Sequence, residues 1–259
     1  MAGSLTFTTI NINGIRDSTK RASFFNWLKL QNLDIVFLQE THCHLRKEEK
    51  RWSCEWVGQS YWSKGTNRSR GVAILCNPRY KYEIDNVDID SNGRYIKCNL
   101  SINDSVYNLI NLYAPNNEYE RVKFFNDVYN WIDTDKETLI SGDFNCTLNG
   151  RLDRLNCTHN DDIGRVDLMK LMNDFNIEDV YRRRYPDKQV YSWRRGEKAS
   201  RIDYWLISES LDNRIDNISY KECLFSDHNM VCLTMRTSET KHGKGLWKMN
   251  SSILLTDFF

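Results

Sequence analysis

Proline is scarce here: three residues in 259. No proline-rich linker divides the chain, and a doubly covered sheet of this length folds as one unit. No apolar stretch is long enough to span a bilayer. Ala2-Gly3-Ser4 runs straight into a strand, without the basic start and long apolar core of a secretory signal. Charge of one sign is lacking too: the net charge is +1, so no global field draws the chain to a polyanion. There is no internal repeat and no low-complexity tract. The eight cysteines show neither short paired spacing nor a zinc pattern. Cys76, Cys98 and Cys232 fall in apolar runs, where a free thiol is a small buried hydrophobe. Free thiols and a reducing intracellular compartment are expected. His42-Cys43-His44 has no partner cluster at ligand spacing and is expected to be a solvated loop.

What is present alternates between strands and helices. Leu5–Ile12, Asp34–Leu38, Gly71–Cys76, Arg94–Ile102, Ser105–Tyr113, Thr138–Ser141, Val190–Trp193, Arg201–Ile207, Ile215–Glu222 and Met230–Met235 read as strands. Asn103-Asp104 is a hairpin turn between two of them. Asp17 or Ser18 caps a helix through Leu30 with Ala22, Phe25, Leu28 and Lys29 at helical spacing. Glu118–Ile132, with Val122, Phe125, Val128, Tyr129 and Ile132 on one face, and Arg165–Phe175 are further helices. Trp52, Trp56 and Trp62 are assigned to packing. The domain is expected to span residues 1–236. Residues 237–259 begin polar and glycine-bearing, which suits a linker or tail. Gly245-Leu246-Trp247-Lys248 and Ile253-Leu254-Leu255 then bring apolar residues back, suggesting a piece of something longer.

Charge is unevenly placed. Between Arg182 and Arg201 eight basic residues face two acidic ones, a stripe expected to hold a polyanion at one edge. Within it, Val190-Tyr191-Ser192-Trp193 and Ser200-Arg201-Ile202-Asp203-Tyr204 read as paired strands. Arg194 to Ala199 would form a tip carrying Arg194, Arg195 and Lys198, suited to a DNA groove.

A set of polar residues arrives at strand ends: Asn11, Glu40, Tyr113, Asp143, Asn145, Asp203, Asp227 and His228. Open α/β sheets place their sites just beyond strand ends. Taken singly, each has an ordinary reading. Glu40 could be a surface carboxylate, Asp143 and Asn145 an Asx turn, and His228 a satisfied surface imidazole. Taken together, they suit phosphodiester hydrolysis. That reaction needs a Lewis acid on the phosphate, an activated water and stabilisation of developing charge. Asp203 lies between Ile202 and Tyr204, and a buried carboxylate needs a partner.

The ordered motifs are Thr9-Ile10-Asn11-Ile12-Asn13-Gly14, Gln39-Glu40-Thr41, Asn111-Leu112-Tyr113-Ala114-Pro115-Asn116, Gly142-Asp143-Phe144-Asn145, Ser200-Arg201-Ile202-Asp203 and Ser226-Asp227-His228. In that order they resemble the apurinic-endonuclease-type domain of non-LTR (LINE) retrotransposons. That domain is a relative of DNase I and exonuclease III in the endonuclease/exonuclease/phosphatase superfamily. The resemblance implies a four-layer α/β sandwich of two packed mixed β-sheets and a Mg²⁺-dependent endonuclease, with Mn²⁺ as a substitute. Such an enzyme nicks double-stranded chromosomal DNA in the nucleus, leaving a 3′-hydroxyl to prime reverse transcription. The tail resembles the segment leading to the reverse transcriptase region of the same polyprotein.

Carried over by position, Glu40 holds the metal helped by Asn11, and Asp143 orients or deprotonates the water. Asn145 steadies water and phosphate, Tyr113 contacts the scissile phosphate, and Asp227 completes the acidic floor. Asp203 and His228 pair, with His228 as base or clamp. Arg154 and Ser226 are expected at the DNA. An apurinic-site repair enzyme, a phosphoinositide phosphatase or sphingomyelinase, and a catalytically dead DNA-binding module are the competing readings. The short loop between the last motifs speaks against the first, the basic stripe with its flanking aromatics against the second, and the full acid, amide and imidazole set against the third.

Overall fold

The computed structural model describes residues 3–78, 82–157 and 162–237. The first sheet has six strands, in spatial order β14 (Ile215–Lys221), β15 (Met230–Arg236), β1 (Ser4–Asn11), β2 (Ile35–Gln39), β4 (Val72–Cys76) and β3 (Gln59–Ser63). The second also has six: β10 (Ile177–Asp179), β13 (Asp203–Ser208), β8 (Glu137–Asp143), β7 (Ser105–Tyr113), β6 (Tyr95–Ile102) and β5 (Glu83–Ile89). Each sheet has one parallel pair, β1 with β2 and β7 with β8, and is otherwise antiparallel. A small third sheet joins β9 (Arg154–Leu155), β12 (Lys198–Ser200) and β11 (Trp193–Arg195).

Three apolar cores separate four layers. The central one lies between the sheets, with Phe7, Phe37, Tyr107 and Trp205 fully buried. An outer core lies between the first sheet and helices α1 (Ser18–Leu30) and α2 (Arg46–Trp56), around Phe25, Trp52 and Trp56. The other lies between the second sheet and helices α3 (Glu118–Val128) and α4 (Arg165–Asp174), around Phe125 and Leu168. The expected four-layer sandwich of two mixed sheets is therefore present. Among the described residues no helix is long and apolar enough to cross a membrane.

Local chemistry sets the elements. Asp17 caps α1 by accepting from Lys20 N, and Asn117 caps α3 by accepting from Tyr119 N and Glu120 N. Several expectations are corrected. The buried face of α1 is Arg21, Phe24, Phe25 and Leu28, not the stripe through Ala22 and Lys29. The third helix stops at Val128 and tightens into a 3₁₀ turn, Tyr129–Trp131. The paired strands expected over 190–204 are the shorter hairpin β11–β12, in register Trp193↔Ser200 to Arg195↔Lys198. Its two-residue tip is Gly196-Glu197. Helix α2, strands β3, β5, β9 and β10, and helix α5 (Val180–Arg184) were not foreseen from the sequence. The linker and apolar returns of 238–259 lie outside the described residues.

Candidate active site

Every strand that carries a site residue delivers it at one end of the sandwich. Asn11 closes β1, Glu40 follows β2, Tyr113 closes β7, Asp143 closes β8 and Asp203 opens β13. Register then fixes neighbours: Tyr113 pairs with Asp143 across the parallel ladder, and Asp203 lies opposite Asp143 across the antiparallel one. The result is an open cleft of about 430 Å³, lined by Asn11, Glu40, Asp143, Asn145, Asp227 and His228 among others.

The hydrogen bonds fall into two groups. Asn11 Nδ2 donates to Glu40 Oε1 and to Asp143 Oδ2, both at 2.9 Å. Two carboxylate acceptors on that side fix which end of the amide is nitrogen. Asn11 Oδ1, the atom that could ligate a metal, accepts from Asn13 N at 3.0 Å. Tyr113 donates its hydroxyl to Glu40 Oε1 at 2.7 Å. Asp143 Oδ1 accepts from Asn145 N at 2.9 Å, and Asn145 Nδ2 donates to Ala114 O at 3.0 Å. His228 Nδ1 meets Asp203 Oδ2 at 2.9 Å, both groups buried.

These contacts drive the groups apart in acidity. Burial opposes ionisation of Glu40, but hydrogen bonds from His42, Asn11 and Tyr113 outweigh it and hold the carboxyl at about 2. Burial, and then the charge of Asp203, push Asp143 up to about 7 against the pull of His228, Asn11 and Asn145. Burial opposes protonation of His228, yet the Asp203 carboxylate, with Asp143 and Asp227 behind it, raises the imidazole to about 9. Burial and the Glu40 and Asp143 charges keep Tyr113 protonated far above its ordinary range.

A hard divalent cation fits this donor set. Asp143, Asp203 and His228 bring ligand atoms within 4.8 Å of one another. Among the described residues, buried Asp203 Oδ1 accepts no hydrogen bond. That cluster is not where the sequence placed the metal. His228 and Asp203 engage one another there through Nδ1 and Oδ2 in a buried setting, whereas the Glu40 side chain is 22% exposed and firmly ionised. Glu40 is therefore the better holder of an ion that keeps several waters.

Residues 8–228 match the Endonuclease/Exonuclease/phosphatase family. The chain belongs to that family. Over 99% of its length it is 31% identical to the Transposon TX1 uncharacterized 149 kDa protein of Xenopus laevis, of which it spans 20%. It is 26% identical to an exodeoxyribonuclease of Bacillus subtilis (strain 168), over 84% of this chain and 94% of that one. An AP endonuclease from Archaeoglobus fulgidus has the same fold, with a TM-score of 0.74 at 20% identity over 89% of this chain and 99% of its own. An AP endonuclease from Leishmania major gives 0.73 at 16% identity, over 91% and 88%. The resemblance drawn from the ordered motifs is borne out.

Within this family member, Asn11, Glu40, Tyr113, Asp143, Asn145, Asp203 and His228 converge as expected, and four other expectations change. Asp227 is not on the floor. It is exposed at the rim, accepting from Trp193 Nε1 at 3.0 Å and Asn13 Nδ2 at 3.2 Å, and so tethers the hairpin strand to the loop after β1. The Ser226 hydroxyl donates to Asn11 O at 2.6 Å and accepts from His228 N at 3.1 Å, which braces the site and leaves it little for DNA. His42-Cys43-His44 is no solvated loop. Cys43 is fully buried, His42 reaches Glu40 and His44 pairs with Glu48.

The basic stripe is largely structural. Arg182, Arg183 and Arg184 pair with Asp153, Glu178 and Asp212. Arg201 is buried between Asp153 and Asp179. Among the described residues Arg194, Arg195 and Lys198 form no ion pair and stand exposed on the hairpin. Arg154 lines the cleft, held by Asp162 at 2.5 Å and Thr147 Oγ1 at 3.1 Å.

Supporting residues went unnoticed in the sequence. Ser192 Oγ accepts from Ile202 N and Asp203 N, both at 3.0 Å, and so sets the start of β13. Gln39 Nε2 bridges Thr9 Oγ1 and Asn111 Oδ1 between the two sheets, directly beneath Glu40. Two buried helix arginines hold the loops that follow β1 and β7. Arg21 donates to Ile15 O and Arg16 O, and Arg121 to Pro115 O and Asn116 O. Gln39 and Asn111 stood in the quoted motifs. Their polarity within apolar runs was the available signal.

Proposed function

We propose that this chain is a divalent-metal-dependent DNA endonuclease of the apurinic-endonuclease type, serving a non-LTR retrotransposon. The observation that carries the reading is the convergence on one cleft of two hydrogen-bonded groups, Asn11 joining Glu40 to Asp143 and Asp203 holding His228. Glu40, with Asn11 beside it, would hold Mg²⁺, with Mn²⁺ as a substitute. When bound, the ion supplies Lewis-acid stabilisation of the phosphate oxygens.

Around it the protein's own groups divide the work. Burial and the neighbouring Asp203 charge raise the Asp143 carboxyl well above the ordinary carboxylate range, as suits a general base, and it can take a proton from a water aligned with the phosphorus. Asn145, one end fixed on Ala114 O, steadies that water and the phosphate. His228 titrates near 9, so at neutral pH the ring is cationic. Nδ1 is engaged with Asp203, and Nε2 donates to a non-bridging phosphoryl oxygen. It acts as a clamp and not as a base. Tyr113 spends its one donor on Glu40 and orients that carboxylate. The exposed cations of the hairpin supply contact to the duplex beside the cleft.

The retrotransposon role rests on similarity to the transposon protein along nearly the whole chain, and on that protein being about five times longer. Residues 1–236 would be the nuclease unit and 237–259 the lead toward a reverse transcriptase region, with nuclear DNA as target. The test is nicking of matched oligonucleotide duplexes with and without one abasic site. Cleavage of intact DNA at a rate comparable to abasic DNA supports the reading. Cleavage confined to abasic DNA would make this a repair nuclease.

A further inference from the structure

Beyond its long contact to the Glu40 carboxylate, His42 has no task in the reaction as described, yet the fold is bent to place it. Its backbone is left-handed (φ 58°), as is that of Glu40 (φ 50°). Side-chain-bearing residues keep that conformation only where the surroundings over-determine it. Here four backbone hydrogen bonds do so: Gly14 N to Glu40 O, Ile15 N to Thr41 O, Thr41 N to Gly71 O and His42 N to Arg70 O. The bend brings His42 Nε2 within 3.4 Å of Glu40 Oε2. The ring lies against Gly14 (φ 79°), where an added Cβ would come within 2.7 Å of Nδ1. Residue 14 thus leaves room for an imidazole at this spot.

The two oxygens of Glu40 are treated differently. Oε1 receives both Asn11 and Tyr113. Among the described residues Oε2 faces His42 alone. A separation of 3.4 Å is long for a hydrogen bond, whose usual length is about 2.9 Å. It is close to the spacing of two adjacent ligands on one ion, since donors each about 2.1 Å away lie about 3 Å apart.

We propose that His42 Nε2 and Glu40 Oε2 ligate the divalent ion together, making a mixed nitrogen–oxygen pair that favours Mn²⁺ over Mg²⁺. This rests on the reading of Glu40 as the metal holder. Mg²⁺ prefers oxygen and gives up water reluctantly, whereas an imidazole nitrogen adds affinity for first-row transition ions.

The experiment binds Mn²⁺ to the whole chain without DNA and follows it by electron paramagnetic resonance, with spin-echo modulation reporting directly bound ¹⁴N. Mg²⁺ affinity is read by competition. A bound nitrogen is expected in the wild type and in His228→Ala, and its absence in His42→Ala and His42→Gln. The glutamine keeps an N–H toward Glu40 and guards against a folding defect in the alanine variant. Mn²⁺ affinity should fall about tenfold in both His42 variants while Mg²⁺ affinity changes less than about twofold. Mn²⁺ binding that Glu40→Ala abolishes but that shows no nitrogen would overturn the inference and leave the proposed function standing. Equal losses for both ions would overturn it too, reducing His42 to a brace for the carboxylate. A wild type that binds neither ion would sink the metal reading of Glu40 along with it.

Discussion

Asp203 and His228 lie 25 residues apart in the chain and meet at 2.9 Å with both side chains buried. Neither residue explains the other's burial alone. The carboxylate needs a cation and the imidazole is charged only because the carboxylate is there. Asp203→Asn and His228→Ala should each lower turnover about 10²- to 10⁴-fold. The double variant should be little worse than either. Single-turnover nicking rates of the four proteins check this, and losses that multiply would show two independent residues.

Glu40→Ala should abolish metal-dependent nicking while leaving the fold intact. Removing the ion's anchor forfeits several kcal/mol of transition-state stabilisation, about 10³-fold or more. Circular dichroism and a nicking assay on the same preparation decide it. A folded variant with near-normal nicking would remove Glu40 from the chemistry.

The metal-free protein should lose stability as pH rises through neutrality. His228 titrates near 9 in the fold against an ordinary 6.5, so its contribution is complete below about 6.5 and lost as pH passes 9. Asp143 titrates near 7 against an ordinary 3.8, so its contribution is complete below about 3.8 and lost as pH passes 7. Glu40 has the opposite sign: its contribution is present above about 4.5 and lost as pH falls toward 2. Asp143→Asn should flatten the fall between about pH 4 and 7 and stabilise the metal-free protein at pH 8 by roughly 1–3 kcal/mol, while destroying activity. Urea denaturation across pH measures both effects, and an unchanged slope for Asp143→Asn would refute the assignment.

The basic stripe should split in two when mutated. Arg201→Met deprives Asp179 and Asp153 of a buried partner and should cost about 3–5 kcal/mol. Arg194→Ala and Arg195→Ala, on the exposed hairpin, should stay within about 0.5 kcal/mol of wild type. Replacing Arg194–Lys198 with a Gly/Ser turn should redistribute nicks on long duplex DNA. It should also flatten the salt dependence of binding by about one slope unit per lost phosphate contact. Sequenced nick sites and a salt titration read the result. An identical nick distribution would leave the hairpin without a role in target choice.

How much of this was legible depended on what each signal measures. Apolar runs marked most of the strands that carry the site, because strands buried on both faces are continuous in sequence. β5 was invisible because five of its seven residues are exposed and three of those are acidic. α2 was missed because only Glu48, Trp52 and Trp56 of its eleven residues are buried. The residues that converge were legible as an ordered set. Their sorting was not, because Asp227 and Ser226 sit beside His228 in the chain and only the loop's path places one on the rim and the other against Asn11. Composition also overstated the basic stripe. A count of arginines cannot see that Asp153, Asp179, Glu178 and Asp212 are waiting for four of them. Arg21 and Arg121 went unnoticed for the same reason, since the carbonyls that receive them exist only once the loops are folded.

The most direct test of the account is to incubate supercoiled plasmid with the protein and Mg²⁺ or Mn²⁺, then offer the nicked circles to a DNA polymerase without end repair. Nicking should disappear on chelation and in Glu40→Ala, with every nick extended at once from a free 3′-hydroxyl. Plasmid left intact, nicking indifferent to chelation, or nicks that the polymerase cannot extend would contradict it.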